Sequence, residues 1–314
     1  MIHPIKSIIC LMGPTASGKT ALAVEIAQRF PCDIISVDSA MIYRGMDIGT
    51  AKPTPDILHI APHRLIDILD PAQAYSAGQF RIDALREIDD VIQNEKIPLL
   101  VGGTMLYFYV LQQGLAPLPT ANPAIRFALL SRAEKEGWDA LYTDLMQIDP
   151  VIAARIHPKD KQRIQRALEV YELTGKPISV LQADTHPLSG YDVHYLAIAP
   201  KDRAALHIHI AERFQRMLAL GFLDEVKQLY ARDDLTAKSP SMRLVGYRQA
   251  WAYLAGEYSY EEMRERSMAA TRQLAKRQLT WLRSWPRVNW FEGEVESQKE
   301  NVCQWINNIH SRLL

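Results

Sequence analysis

The chain is poor in cysteine: Cys10, Cys32 and Cys303 are the only three, and no two lie close together in sequence. That argues against a disulfide framework or a zinc site and for a reducing compartment. An excess of either charge is missing too. Basic and acidic residues number 36 each, so the protein is no polycation and any nucleic-acid site has to be a local patch. Long hydrophobic runs are also lacking. The apolar stretch Ile8-Ile9-Cys10-Leu11-Met12 stops at Gly13, well short of the roughly 20 residues of a membrane helix and of a signal sequence. There are no repeats or low-complexity tracts. A soluble, cytoplasmic protein is the expectation, and 314 residues suffice for one α/β domain carrying an insertion.

What is present alternates between two periods. Residues 8–12 read as a buried strand, and Leu22, Ile26 and Phe30 then lie on one helical stripe. Residues 33–37 form a second strand ending at Asp38. Ser76-Ala77-Gly78-Gln79 has the form of a capping box, opening a helix with Ile82, Leu85, Ile88 and Ile92 inward. Residues 97–101 form a third strand. Such alternation predicts an α/β fold, a parallel sheet core flanked by helices, with ligands at the carboxyl ends of the strands. Thr15, Asp38 and Thr104 lie there. After Pro117 and Pro119 the pattern changes: Asn122-Pro123 and Asp149-Pro150 are helix starts, and no strand recurs before about His194. Residues 120–187 are therefore expected to form an all-helical insertion domain, leaving 1–119 and 188–314 as the core with a helical C-terminal region. Residues 194–199 restore a strand, and long helices are expected over 201–220 and 260–283.

The strongest motif is Gly13-Pro14-Thr15-Ala16-Ser17-Gly18-Lys19-Thr20, a phosphate-binding loop (P-loop) that follows a strand and opens a helix, the context this pattern requires. Backbone N–H groups and the helix N-terminus cradle phosphate oxygens, Lys19 adds a point charge, and the Thr20 hydroxyl offers a ligand to Mg2+. The loop alone does not name a reaction, because kinases, nucleotide hydrolases and other diphosphate-handling enzymes share it. Asp38 admits two readings, a magnesium ligand or a general base. His207 and His209, two residues apart, splay across a helix, so zinc is not expected.

The same loop together with Asp38-Ser39-Ala40-Met41-Ile42-Tyr43-Arg44-Gly45-Met46-Asp47-Ile48-Gly49-Thr50-Ala51-Lys52-Pro53 resembles the bacterial tRNA dimethylallyltransferase family. Further segments agree in order: His63-Arg64-Leu65-Ile66-Asp67, Val101-Gly102-Gly103-Thr104-Met105-Leu106-Tyr107, residues 163–169, Val245-Gly246-Tyr247-Arg248 and residues 271–283. The resemblance spans roughly residues 7–290. It implies transfer of a dimethylallyl group from dimethylallyl diphosphate to N6 of the adenine just 3′ of the anticodon, tRNA position 37. It implies catalytic roles for Asp38, Thr104 and Arg126, and RNA contacts from Asp38, Ser39, Ala40, Met41, Thr104 and Arg126. The same holds for Gln162, Arg163, Ile164, Gln165 and Arg166, for Arg243, Leu244, Val245, Gly246, Tyr247 and Arg248, and for Arg272, Lys276, Arg277, Gln278, Leu279, Thr280, Trp281, Leu282 and Arg283.

The expected chemistry accounts for these residue types. An allylic diphosphate ionises easily once its leaving group is stabilised, which the loop amides, Lys19 and Mg2+ on Thr20 supply, with Arg213 as a further contact to the diphosphate. The adenine amine is a poor nucleophile, so a carboxylate accepting its proton assists attack. RNA needs cations around the site. In the helix after Asp160 the apolar stripe Ile164, Leu168 and Tyr171 leaves Arg163 and Arg166 on an exposed flank. Between Arg243 and Arg287 nine basic residues face four acidic ones, and Arg272, Lys276 and Arg283 recur on one helical face. A monomer is expected, with tRNA clasped between core and insertion.

Overall fold

The computed structural model describes residues 6–183, 185–293 and 295–313, which fall into two compact units, Leu111–Leu188 and the remainder. In the larger unit β1 (Lys6–Met12), α1 (Lys19–Arg29), β2 (Cys32–Val37), α2 (Pro55–Ile60), β3 (His63–Arg64), α3 (Ala77–Gln93) and β4 (Ile97–Gly102) come first, and α4 (Met105–Gln113) follows, its last three residues belonging to the smaller unit. The smaller unit holds α5 (Pro123–Glu136), α6 (Trp138–Ile148), α7 (Pro150–Ala153), α8 (Lys161–Thr174) and α9 (Ile178–Leu181). The larger unit then resumes with β5 (Tyr191–Ala199), α10 (Arg203–Ala219), α11 (Phe222–Tyr230), α12 (Tyr247–Leu254), α13 (Tyr260–Arg283), β6 (Val288–Glu292) and α14 (Val295–Leu313).

The six strands form one parallel sheet in the order β3-β2-β4-β1-β5-β6. Its inner strands are apolar almost throughout because both faces are covered. Ile9, Leu11, Ile34, Leu99, Val101, Leu196 and Ile198 share one face, where they pack with Leu22 and Ile26 of α1 and Val302 and Ile306 of α14. Val37, Gly102, Met12, Ala197 and Trp290 are paired in one line across five strands. The next residues of the first three strands, Asp38, Gly103 and Gly13, therefore leave the sheet side by side.

Two strands escape the sequence pattern. β3 is only two residues long, and β6 is partly exposed at the sheet edge, so neither makes a buried apolar run. β5 begins at Tyr191 rather than 194 because its first residues pair with Lys6 and Ser7 while partly exposed. The stripe expected on α3 is rotated: Phe80, Ala84, Ile88 and Val91 are buried, whereas Ile82 is 64% exposed. Phe80 stacks on Tyr107 at 4.2 Å between ring centres, and this large ring sets the inward face. Ser76 caps the helix by accepting from Gln79 N at 3.0 Å, but the Gln79 side chain donates to Asp83 instead of returning to the cap.

The insertion begins earlier than the prolines suggest. The helical unit starts at Leu111, and its two ends are tied by Leu188 N donating to Gln112 O at 2.9 Å. Asn122 and Asp149 cap α5 and α7 as their X-Pro steps predict. Leu129, Leu141, Leu145, Ile164, Leu168 and Val170 form the core of this unit. No helix among the described residues is long and apolar enough to cross a membrane.

A close approach marks the sheet's middle. A Cβ on Gly102 would lie 1.9 Å from Val37 O, a backbone atom that cannot swing aside. Gly102→Ala should force β2 and β4 apart and destabilise the protein by about 2–3 kcal/mol, the scale of core overpacking, read as a lowered urea midpoint. An unchanged midpoint would contradict this packing.

Candidate active site

Sheet topology places the chemistry. The glycine loop leaves β1 and enters α1 through Ala16 (φ 63°) and Gly18 (φ 84°), both left-handed, so that α1 starts at Lys19 with its N–H groups turned to the strand ends. Gly13 cannot carry a side chain, since a Cβ would meet Ile198 O at 2.5 Å. Asp38 and Ser39 follow β2, and Gly103 and Thr104 follow β4.

These loops are wired to one another. Asp38 Oδ1 accepts from Ala40 N at 2.8 Å. Ser39 N donates to Thr104 Oγ1 at 3.0 Å, and that hydroxyl donates to Ser39 Oγ at 3.3 Å, so Thr104 serves the neighbouring loop instead of capping its own helix. Gln278 of α13 reaches in from above: its Oε1 accepts from Thr15 N at 2.9 Å and its Nε2 donates to Gly103 O at 2.8 Å.

Around them lies a cavity of about 470 Å3, within the ordinary range for small-ligand sites. Thr15, Lys19, Thr20, Asp38, Ser39, Thr104 and Arg213 contribute to its polar lining, with Ala40 and Met41 beside them. Ile210, Phe214, Met217, Phe222 and Leu274 supply an apolar wall. Ile210, Arg213, Phe214 and Met217 come from one face of α10, so a single helix carries both a cation and three apolar groups into the cavity. Lys19 folds onto its own loop, donating to Pro14 O at 2.6 Å and approaching Ser17 Oγ at 3.4 Å. Burial, followed by repulsion from Arg213, pushes the Lys19 ammonium down to about 7 against the opposing pull of Asp38. Burial lowers Arg213 as well, Asp38 again opposing. Two cations beside one carboxylate in a buried cleft are a site that gains from an incoming anion.

Arg213 is held by an unpredicted device. Its Nη2 donates to Thr50 O at 3.3 Å, at the end of a turn whose Asp47, Ile48 and Gly49 N–H groups all donate to the carboxylate of Glu225, at 2.7, 2.7 and 3.1 Å. The Tyr247 hydroxyl donates to the same carboxylate at 2.5 Å. Burial and then Glu225 raise the Tyr247 phenol well above its ordinary value, so it stays a donor. Nothing near Glu225 in sequence signals this, because its backbone partners lie about 177 residues away.

In the helical unit Arg126 is locked rather than free. Its Nε and Nη2 donate to the two oxygens of Glu169 at 2.9 and 3.1 Å, and Gln165 Nε2 donates to Arg126 O. Glu169 is fully buried. Burial works to raise its carboxyl, but hydrogen bonds from Arg126, Arg166 and Asn122 N prevail and hold it below the ordinary value. Arg166 therefore departs from the exposed flank expected for it: it turns to Glu169 at 2.7 Å and Pro119 O at 2.6 Å, whereas Gln162 and Arg163 are exposed.

Several residues for which RNA contact is expected are tightly packed in the structure. Ile164, Tyr247 and Leu282 are fully buried and Leu279 packs with Leu206, Ile210 and Ala275; regular helical spacing makes such apolar faces core. Gln278 is buried in the loop bridge described above, and Gly246 is buried at the start of α12. Arg243, Leu244, Val245 and Arg277 line the cavity, as does Trp281, 38% exposed. Arg248, Arg272, Lys276, Thr280 and Arg283 are exposed; Lys276, Arg277, Thr280 and Trp281 line an open groove along α13.

Comparison with known proteins shows the family to which the chain belongs. A sequence model of the IPP transferase family matches residues 41–285, and one described as isopentenyl transferase matches residues 6–67. The tRNA isopentenylpyrophosphate transferase of Bacillus halodurans is 33% identical over 98% of both chains, with a TM-score of 0.72. The tRNA delta(2)-isopentenylpyrophosphate transferase of Staphylococcus epidermidis is also 33% identical, over 96% of this chain and 99% of its own, with a TM-score of 0.68. A eukaryotic dimethylallyltransferase described as acting on tRNA is 26% identical over 98% of this chain and 80% of its own, with a TM-score of 0.83.

The depressed Lys19 gives a titration signature. A bound diphosphate removes the penalty on the ammonium, so at pH 8 the complex should hold up to about one more proton than the free protein, and affinity should fall as pH rises through about 7. Calorimetry in buffers of different ionisation enthalpy reads this uptake directly. Lys19→Met should abolish it; no uptake by the native protein would remove Lys19 from the anion site.

Proposed function

We propose, because the chain belongs to the IPP transferase family, that it transfers a dimethylallyl group from dimethylallyl diphosphate to N6 of the adenine at tRNA position 37. The observation that carries this reading is the two-sided cavity. A phosphate loop with Lys19 and Arg213 suits a diphosphate, and the wall of Ile210, Phe214, Met217 and Phe222 suits a short branched hydrocarbon.

In the reaction the bond between the allylic carbon and the diphosphate oxygen breaks, and the electron pair leaves with diphosphate. The glycine-loop amides, Lys19 and Arg213 stabilise that charge in a site already arranged for it. The adenine N6 lone pair forms the new C–N bond, and Asp38 takes the N6 proton. Thr104 holds the Asp38 loop through Ser39 and stands beside the amine. The products are N6-dimethylallyladenosine and diphosphate.

Magnesium fits the donors at hand. Thr20 brings a hydroxyl ligand to the cavity, and a hard cation that keeps several waters needs only one or two protein oxygens beside a diphosphate. Bound through Thr20, it would neutralise charge on the departing diphosphate.

For the RNA, the exposed cations Arg272, Lys276, Arg277 and Arg283 of α13 and Arg163 of α8 offer phosphate contacts, while Arg126, fixed by Glu169, presents a preset guanidinium. We place the reaction in the cytoplasm, consistent with three free, buried cysteines, and assign it to a monomer.

The test offers unmodified tRNA and Mg2+ with labelled dimethylallyl diphosphate or ATP in parallel. Label should enter RNA from the diphosphate alone; turnover of ATP with a small acceptor would overturn the reading. Asp38→Ala should lower kcat by about 100-fold or more, the scale of general-base catalysis, while diphosphate binding persists. Loss of diphosphate affinity would instead make Asp38 a metal ligand.

A further inference from the structure

We propose that Gln278 is a positioning residue for the transfer, whose carboxamide sets the spacing between the loop that holds the leaving group and the loop that organises proton acceptance. The inference rests on the prenyl-transfer reading given above. Its basis is a continuous set of links. Thr15 N, inside the glycine loop, donates to Gln278 Oε1 at 2.9 Å. Gln278 Nε2 donates to Gly103 O at 2.8 Å. The next residue, Thr104, accepts from Ser39 N at 3.0 Å, and Ser39 follows Asp38. One side chain thus joins the two halves of the reaction, coming from a helix that is 263 residues from one loop and 175 from the other in sequence.

The chemistry selects glutamine. A carboxamide carries an acceptor and donors on one planar group. Glutamate would keep the bond from Thr15 N but turn a second acceptor towards the Gly103 carbonyl. Lysine or arginine would lose the acceptor, and methionine both bonds. The absence of a side chain at Gly103 fits the same brace, because a Cβ there would lie 2.5 Å from Gln278 Nε2. Gln278 is buried, so water does not replace these bonds readily. It lines the cavity beside Thr15 and Thr104, at the boundary between donor and acceptor.

Without the brace each loop keeps its own fold, Lys19 on its loop and Thr104 on Ser39, but their mutual register is released. A misplacement of about 1 Å between reacting groups costs on the order of 100-fold in rate. Gln278→Met should therefore lower kcat about 30- to 100-fold while KM for dimethylallyl diphosphate and for tRNA each change less than about 3-fold. Gln278→Glu, which keeps the Thr15 bond, should fall between Met and native, and stands in if the methionine variant does not fold, as judged by its melting curve. Steady-state kinetics with each substrate saturating gives the split. A kcat close to native in a folded variant overturns the proposal; so does a raised KM with native kcat, which would make Gln278 a binding residue. If the native enzyme transfers nothing to RNA, the functional reading itself has failed, and this is known before any variant is compared.

Discussion

Gly102 and Val37 face each other on adjacent parallel strands, and the carbonyl of Val37 fills the space a side chain at 102 would need. This contact lets β4 lie against β2 up to their last residues, so that Asp38, Gly103 and Gly13 leave the sheet together. Parallel order does the rest, since every strand ends at the same edge. Had the strands separated one residue earlier, Thr104 could not accept from Ser39 N. The site is thus a consequence of strand register, with α10 and α13 closing it through Arg213, Phe214 and Gln278.

Electrostatics within that frame favours an anion with an apolar tail. Lys19 is held near 7 by burial and by Arg213, a state of the free site that an incoming diphosphate relieves. A carboxylate, Asp38, sits close enough to favour both cations without neutralising them. Beyond it the wall is hydrocarbon, where a nucleoside would need polar partners. On the proposed function, the same loop that elsewhere grips a triphosphate would hold a leaving group. Glu225 contributes at one remove: a half-buried carboxylate gathers three N–H groups and a phenol, fixes the turn that ends at Thr50, and so steadies Arg213.

Much of this was legible in the sequence because it is local. A strand, a glycine loop and a helix within 25 residues are one pattern, and the X-Pro caps at Asn122 and Asp149 are decided by neighbouring atoms. Thr15, Lys19, Thr20, Asp38, Thr104 and Arg213 do line one cavity. What stayed hidden depends on distant partners. Gln278 and Glu225 look like ordinary polar residues of helices until their loops are in place. Ile164, Tyr247 and Leu282 fall in segments that resemble RNA-contacting motifs, yet the residues of a motif include those that pack its helix. Arg166 reads as free on the helical stripe because nothing in the sequence marks Glu169, one turn away, as a buried carboxylate that needs two cations. β6 is too exposed and β3 too short to announce themselves by period.

The central claim is that one cavity holds diphosphate at the glycine loop and a hydrocarbon chain against α10. The most direct measurement is a crystal structure with dimethylallyl S-thiolodiphosphate, a donor analogue that resists ionisation, in the presence of Mg2+. Density for the diphosphate should lie on the loop amides with Lys19 turned from Pro14 O towards it, and the branched chain should touch Phe214 and Met217. A diphosphate seated away from residues 13–20, or a chain directed into solvent, would contradict the account.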